Sequence, residues 1–305
     1  MKVAVTGASG LLGSNLALEF CRAGHEVTAV YRQHALCLAG VRAVACDLTD
    51  SALLSRVIAD AKADCIVHSA AATNLEWCEA HPSECLRVNA EVPGDVAALA
   101  RRTGAAMVHI STDAIFDGVS GGYRETDDPS PVNQYGRSKA LGEAAVLKEC
   151  PGALVLRTNI YGWNLQPKSS LAEWVLALLE RGLAVPGFCD VIFSPVLVNY
   201  LAGWIVELVG SRESGIFHVA SRDHVSKHEF ARQIAEVFGL DAALVREACI
   251  AESTLTAPRP RNTWLNGGKL CAVLGRPLPS IREGLDAFRT LRTSGFTNRL
   301  RAAAA

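Results

Sequence analysis

The sequence lacks a membrane-spanning segment and lacks an excess of either charge. Its longest apolar stretch covers residues 195–209, which is too short to span a bilayer and contains Asn199 and Glu207. Met1 leads directly into the strand-like residues 3–7, so we expect no signal peptide and a cytoplasmic location. The 30 lysines and arginines against 31 acidic residues leave a net charge of −1. This balance favours neither nucleic acid nor a membrane surface as a partner.

The ten cysteines include no CxxC pair, and no cysteines and histidines share the spacing of zinc ligands. A reduced thiol acts as a small hydrophobic side chain. Five cysteines lie in apolar or helical stretches: Cys21, Cys46, Cys65, Cys85 and Cys150. We therefore expect reduced core thiols, no disulfides and no metal site. The histidines of residues 218–228 are interpreted as structural or exposed.

The first half of the chain alternates short apolar runs with amphipathic stretches. Strand patterns occur at residues 2–6, 26–31, 42–45, 65–68, 107–111 and 153–157, and helical patterns at 11–23, 51–61, 85–103 and 134–150. Strands that are hydrophobic throughout are typical of a parallel sheet covered on both faces. The alternation predicts an α/β fold with a Rossmann-type, doubly wound parallel sheet.

The pattern changes after residue 160. Helices are predicted at residues 169–181, 197–209, 227–238 and 281–292 and a strand at 215–220, whereas residues 257–278 are rich in proline and glycine. We interpret residues 1–160 as an NAD(P)-binding Rossmann domain, with late elements from about residues 190–225. Residues 161–305 are interpreted as a smaller, interleaved C-terminal substrate-binding domain. The terminal alanines at 302–305 are left out of this interpretation.

A glycine-rich turn, TGASGLLG at residues 6–13, lies between the first strand and the first helix. Its glycines allow a sharp turn and let a pyrophosphate approach the helix N-terminus, where the dipole favours negative charge. The spacing is Gly-x-x-Gly-x-x-Gly and not the Gly-x-Gly-x-x-Gly of ordinary dehydrogenases. The predicted cofactor contacts in this turn are Gly7, Ser9, Gly10, Leu11, Leu12 and Gly13.

The end of the second strand, Tyr31-Arg32, carries no acid. An acid there binds the ribose hydroxyls of NAD, whereas an arginine accommodates the 2′-phosphate of NADP. We therefore predict NADPH, held through Arg32, with NADH as the alternative. Asp47 and Leu48, after the third strand, are placed for the adenine edge, and Asp47 could also cap the helix that follows.

Tyr135 and Lys139 lie four residues apart on a predicted helix and hence on one face. A tyrosine titrates near pH ~10, and a neighbouring ammonium is expected to lower that pKa. The same lysine can hold the nicotinamide ribose. The apolar strand at 107–111 ends in Ser111-Thr112-Asp113, at the edge of the sheet where ligands bind. Thr112 could therefore hydrogen-bond a substrate carbonyl beside Tyr135.

In this order over the first 160 residues, the motifs resemble the extended short-chain dehydrogenase/reductase superfamily. The matching segments are TGASGLLG, Asp47-Leu48, VHSAA at 67–71, Val88-Asn89, STDAIFDG at 111–118, YGRSK at 135–139 and LRTNIYG at 156–162. The resemblance is greatest to the dTDP-4-dehydrorhamnose reductase group, which APRPRNTWLNGGKL at 257–270 also matches. It implies Thr112, Tyr135 and Lys139 as the catalytic set, hydride transfer from NAD(P)H to the C4 ketone of a nucleotide-linked sugar, and a homodimer.

Further site residues follow from the matched motifs and from their chemistry. The remaining predicted cofactor contacts are Ser69, Ala70, Ala71 and Asn89. The predicted substrate contacts are Thr73, Thr112, Asp113, Tyr161, Arg259, Arg261 and Asn262. The two arginines could clamp a diphosphate, because guanidinium pairs well with phosphate oxygens.

At two positions the sequence differs from the pattern of this group, so the identity of the substrate sugar is not determined. Ala114 stands where the group commonly has an aromatic residue, and Trp77 stands where relatives usually have aspartate. A 4-epimerase would use the same Tyr135 and Lys139, but epimerases usually show an acid after the second strand. A non-catalytic NADP-binding regulatory subunit, like that of methionine adenosyltransferase, resembles the same branch and is the second alternative.

Overall fold

A computed structural model describes residues 1–166 and 168–303; residues 304 and 305 of the alanine run lie outside this range. The strands are β1 (Lys2–Thr6), β2 (Glu26–Tyr31), β3 (Val41–Ala45), β4 (Cys65–His68), β5 (Ala106–Thr112), β6 (Leu154–Thr158), β7 (Ile160–Tyr161), β8 (Val185–Phe188), β9 (Ile192–Phe193), β10 (Val196–Leu197), β11 (Gly215–Val219), β12 (Val225–Ser226) and β13 (Val245–Ala248). The helices are α1 (Leu11–Arg22), α2 (Ser51–Ala61), α3 (Leu75–Ala80), α4 (Pro82–Leu86), α5 (Val92–Thr103), α6 (Gln134–Glu149), α7 (Leu171–Glu180), α8 (Val198–Gly210), α9 (Lys227–Phe238), α10 (Gly268–Leu274), α11 (Ile281–Thr293) and α12 (Phe296–Arg301).

Seven strands form one parallel sheet in the order β3-β2-β1-β4-β5-β6-β11. The strand order reverses between β1 and β4, whose last residues Thr6 and His68 pair in register. Ligands of doubly wound sheets bind outside the carboxyl ends of the strands at such a reversal. The predicted Rossmann-type sheet is confirmed, and it places the glycine-rich turn at this point.

Side chains of the central strands alternate between two helical layers. Val3 and Val5 belong to a core with α1, α7, α8, α9 and α11, whereas Ala4 belongs to a core with α2 and α5. Because both faces are covered, β4 and β6 are buried at every position. This burial on both faces explains why the two strands are mostly apolar, over residues 65–67 and 154–156.

The helix predicted over residues 85–103 is continuous with α4 in the structure but contains a π-helical turn. After α4, residues Arg87–Glu91 form a π-helical turn, and α5 follows with Pro93 in its first turn. Proline has no amide hydrogen to donate, and its ring collides with the carbonyl four residues earlier in a regular helix. The wider π-helical turn accommodates Pro93, which explains why one regular helix does not form.

Residues after 160 contribute β11 to the edge of the main sheet and also form three two-stranded pairs. β7 pairs with β10 and β8 with β13 in parallel, and β9 pairs with β12 antiparallel. Residues 257–278, predicted as loop, contain the short helix α10. Across the described ranges, none of the helices combines the length and apolar character that crossing a membrane would require.

Candidate active site

The glycine-rich turn leaves the first amides of α1 available to an anion. Gly7 has a φ of +68°, and a Cβ there would lie 2.7 Å from the Ala70 backbone, so a glycine is needed. A Cβ on Gly13 would overlap the carbonyl oxygen of Gly7. Gly10 provides no side-chain cap for α1, and the first helical turn has no acid. Free amides at the positive end of the helix dipole fit a pyrophosphate. The other predicted members of this connection are Ser9, Leu11 and Leu12.

The next part of the predicted cofactor site is the edge formed by β2 and β3. The pKa of Asp47 is lowered, chiefly by hydrogen bonds from the Thr49 amide (3.0 Å) and hydroxyl (2.7 Å), and also by the charge of Arg32. Arg32 and Asp47 are therefore neighbours, and both are exposed. Two further predicted contacts are partly buried at this edge: Tyr31 and Leu48. The cap of α2 is Asp50, so Asp47 does not take the capping role that was its alternative to a contact with the adenine.

The loop after β4 forms a wall beside the glycine-rich turn. The Ser69 hydroxyl donates to the Thr6 carbonyl at 2.7 Å, and Ala70 and Ala71 follow with partial exposure. Asn89 does not face this cleft, although we predicted that it contacts the cofactor. It is 0% exposed and its amide exchanges two hydrogen bonds with the Ala72 backbone, at 2.8 and 2.9 Å. Asn89 therefore holds the loop in place from behind.

Thr112 is the last residue of β5, and Asp113 follows it, at the expected edge of the sheet. The Thr112 hydroxyl donates to one Asp113 carboxylate oxygen at 3.2 Å. The other carboxylate oxygen accepts from Asn159 at 3.0 Å and from Thr263 at 2.7 Å. Burial raises the pKa of Asp113, and these three hydrogen bonds oppose the change. Asp113 is 4% exposed and accepts these three hydrogen bonds, so in this structure it anchors Thr112; its contact with a substrate stays a prediction.

Tyr135 lies in the first turn of α6, which is packed closely on the end of β5. Asn133 caps the helix by accepting from the Gly136 amide at 2.7 Å, and a Cβ on Gly136 would overlap the Ala114 carbonyl oxygen. Burial raises the pKa of Tyr135 above its ordinary value, which outweighs a hydrogen bond with Thr112 that lowers it. The predicted lowering by the nearby lysine is therefore wrong. Tyr135 keeps its proton at neutral pH and can act as a proton donor.

Lys139 extends from α6 beneath the end of β5 and is 2% exposed. Its Nζ donates to the Ile110 carbonyl at 2.8 Å and lies 3.3 Å from His109 Nε2. Burial lowers the pKa of Lys139 to about 8, with Glu143 acting in the opposite direction. The lysine is thus mostly charged at neutral pH, and His109 Nε2 must be an acceptor toward it.

Two buried histidines connect Lys139 to the glycine-rich turn. The rings of His109 and His68 stack with centroids 5.6 Å apart, and His68 Nδ1 lies 2.8 Å from the Thr6 hydroxyl. Burial lowers the pKa of His68 to about 3 and that of His109 well below its usual range, so both rings are neutral. Thr6 directly precedes Gly7. The two histidines therefore form a continuous row of contacts between Lys139 and the glycine-rich turn, whose free amides we call the anion cradle. The sequence does contain a signal for these two histidines, because each lies in a mostly apolar strand and the two strands are neighbours in the sheet.

Arg259 approaches the same region from the C-terminal part of the chain. Its side chain is 15% exposed and pairs with Glu76 at 2.6 Å. Lys227, which the sequence analysis did not single out, lies near both Arg259 and Asp113. Burial lowers the pKa of Lys227, while Asp113 raises it and Arg259 lowers it. Two cationic side chains therefore gather beside the end of β5, where an anionic substrate group could bind.

The structure does not bring all of the remaining predicted substrate residues to the end of β5. Each of the three has a partner in a different part of the chain. Arg261 is 61% exposed and faces Asp190 at 3.9 Å. Asn262 donates to the Ser120 carbonyl at 3.3 Å. Thr73 lies on the loop after β4 and accepts from Lys168 at 3.3 Å.

Tyr161 does not reach the cleft, although we predicted a substrate contact. It is 1% exposed, and its ring packs edge-on against Phe230 and Phe288 at centroid distances of 5.1 and 5.8 Å. A Cβ on Gly284 would overlap its hydroxyl oxygen. Tyr161 is therefore a core residue that joins β7 to α9 and α11.

A family model described as the RmlD substrate binding domain matches residues 1–292. The chain belongs to this family. The match covers the glycine-rich turn, the end of β5, α6 and the segment around Arg259. It confirms the resemblance to the dTDP-4-dehydrorhamnose reductase branch that the motifs indicated.

Three relatives illustrate the range of proteins that the chain resembles. It is 34% identical to a probable low-salt glycan biosynthesis reductase of Haloferax volcanii, over 93% of this chain and 95% of that one. It is 31% identical to a dTDP-4-dehydrorhamnose reductase of Mycolicibacterium smegmatis, over 93% and 84%. It is 32% identical to methionine adenosyltransferase 2 subunit beta of Bos taurus, over 94% and 88%.

A solved structure shows the same architecture. The dTDP-4-dehydrorhamnose reductase of Bacillus anthracis, crystallised in complex with NADP, superposes with a TM-score of 0.85 at 27% identity, over 95% of this chain and 99% of that chain. The predicted fold of an extended short-chain dehydrogenase/reductase is thereby confirmed.

Proposed function

We propose that the protein is an NADPH-dependent reductase of the 4-keto group of a nucleoside-diphosphate sugar. The observation that carries the proposal is the hydrogen bond between Thr112 and Tyr135 at the carboxyl end of β5, with Lys139 bonded to the Ile110 carbonyl of the same strand. The free amides at the start of α1 complete the site. The relatives named as reductases and the NADP complex of the Bacillus anthracis reductase support it.

The cofactor site follows from the glycine cradle and the edge of β2. The amides at the start of α1 would hold the pyrophosphate, and Arg32 would hold the 2′-phosphate. Residues 69–71 would line the cleft beside Gly7. NADPH supplies a hydride when bound.

The chain's own residues would supply the proton and orient the carbonyl. Tyr135 would donate its proton to the C4 oxygen as negative charge develops there, and Thr112 would hydrogen-bond the same oxygen. Lys139, held by the Ile110 carbonyl and His109, would place a positive charge beneath this end of β5. The Thr112 hydroxyl has one proton, which Asp113 accepts in the structure, so this hydroxyl would turn from Asp113 to donate to the C4 oxygen.

The C-terminal part would bind the rest of the substrate. We assign substrate binding to residues 161–303, with Arg259 and Lys227 nearest to the diphosphate. Residues 1–160 and β11 would form the cofactor domain. A homodimer in the cytoplasm completes the proposal, supported by the family resemblance. Light scattering after gel filtration should give twice the mass of one chain.

The test is NADPH oxidation by the purified protein with dTDP-4-dehydrorhamnose and a panel of other nucleoside-diphosphate 4-keto sugars. We expect NADPH absorbance to fall with at least one of them. Binding of NADPH without turnover across the panel, together with a change in the activity of an added methionine adenosyltransferase catalytic subunit, would favour the regulatory alternative. Interconversion at C4 without net NADPH consumption would favour the epimerase.

A further inference from the structure

A group of side chains that could bind a metal ion lies where β8, β13 and α9 meet, apart from the candidate active site. Cys189 directly follows β8, Glu247 lies in β13 and His228 lies in the first turn of α9. The thiol sulfur, one imidazole nitrogen and one carboxylate oxygen all lie within 4.8 Å of one another. The three residues come from separate segments of the chain, so the spacing of cysteines and histidines in the sequence could not reveal them.

The backbone around the group is built for close approach. β8 and β13 are parallel, with Gly187 opposite Glu247, and the Cys189 amide donates to the Ala248 carbonyl at 3.0 Å. A Cβ on Gly187 would lie 2.7 Å from the Cα of His228. The missing side chain therefore allows α9 to place His228 directly against the end of β8.

The three side chains are available for a ligand. Among the residues that the structure describes, neither the His228 ring nor the Glu247 carboxylate makes a hydrogen bond or ion pair with another side chain. The Cys189 thiol has only a weak contact, 3.9 Å from the Gly187 carbonyl. One sulfur, one nitrogen and one oxygen donor suit Zn²⁺, which is bound by cysteine, histidine and carboxylate and can take water as a fourth ligand.

We infer that Cys189, His228 and Glu247 bind one Zn²⁺ ion. Zn²⁺ binds the thiolate form of cysteine, and the thiolate and carboxylate together balance the charge of the ion. The ion would connect β8, β13 and α9 in the lobe that also carries Lys227, next to His228, and Asp190, the partner of Arg261. The inference does not depend on the proposed reductase activity.

Cobalt titration of the metal-free, untagged protein tests the site. Co²⁺ bound to a thiolate gives a charge-transfer absorption in the near ultraviolet, and Zn²⁺ should remove it by displacement. We expect saturation at one equivalent of Co²⁺. Cys189→Ser should abolish the absorption, and His228→Gln and Glu247→Gln should each weaken Co²⁺ binding at least about ten-fold.

The matched control is Cys37→Ser, which removes an exposed cysteine outside the group and should leave the titration unchanged. Circular dichroism of each metal-free variant checks that it is folded. If Cys189→Ser does not fold, Glu247→Gln, which alters an exposed side chain, provides the deciding titration. Absence of the absorption in the wild-type protein would overturn the assignment. If the absorption persisted in folded Cys189→Ser, then Cys249 or another thiol would be the ligand. That result would also overturn the assignment.

Discussion

Replacing Lys139 by methionine tests the energetic consequence of a buried ammonium. Burial lowers the pKa of Lys139 from 10.5 to about 8 in the folded protein. The unfolded chain keeps this proton up to the ordinary lysine pKa, so between these two values the unfolded state binds more protons. Stability therefore rises with pH in this window. Integration from about pH 7 to about pH 10 gives a gain of roughly 2–3 kcal/mol for the wild-type protein.

The assay is urea unfolding of both proteins at a series of pH values. Other groups titrate in both chains, so the difference between their free energies of unfolding isolates Lys139. We expect the wild-type protein to gain about 2–3 kcal/mol relative to Lys139→Met between about pH 7 and about pH 10. A difference that does not change with pH would show that Lys139 has an ordinary pKa, and the reasoning about its burial would fail.

Three further substitutions test the cofactor site and the core. Arg32→Ala should weaken NADPH binding by about ten- to a hundred-fold and NADH binding far less, and equal losses in calorimetric titration would reject the phosphate contact. Gly7→Ala should abolish NADPH binding, because the new Cβ meets backbone atoms at a positive φ; normal affinity would contradict the cradle. Glu143→Gln should cost about 3–5 kcal/mol in urea unfolding, because it leaves Arg157 buried without its partner at 2.8 Å. Glu149→Gln, at an exposed pair, should cost at most about 1 kcal/mol, and similar losses in both variants would reject the role of burial.

The central sheet could be predicted closely because its signals are local. The predicted strand at residues 26–31 and helix at 51–61 coincide with β2 and α2. Mostly apolar runs mark the buried strands. The cap of α2 was less clear from the sequence, which suggested Asp47, whereas the structure has Asp50. The glycine-rich turn could also be predicted from the sequence. Gly13 is required by its contact with Gly7 in the same turn, and Gly7 by its contact with the neighbouring Ala70 backbone.

The orientation of individual side chains could not be predicted in the same way. Asn89 and Tyr161 lie in the expected motifs, yet Asn89 turns toward the Ala72 backbone and Tyr161 toward the core. The Tyr135 pKa was predicted in the wrong direction because helical spacing brings Lys139 to the same face but does not show how deeply the phenol is buried. Lys227 lies near Asp113 and Arg259 because of the way α9 packs against the rest of the chain. This packing could not be predicted from the local sequence around Lys227.

Proton donation by Tyr135 is most directly tested by Tyr135→Phe, assayed for both turnover of a 4-keto sugar nucleotide and NADPH affinity. The account predicts that turnover falls by about 10²–10⁴-fold while the dissociation constant of NADPH changes little. Turnover close to that of the wild-type protein would contradict it.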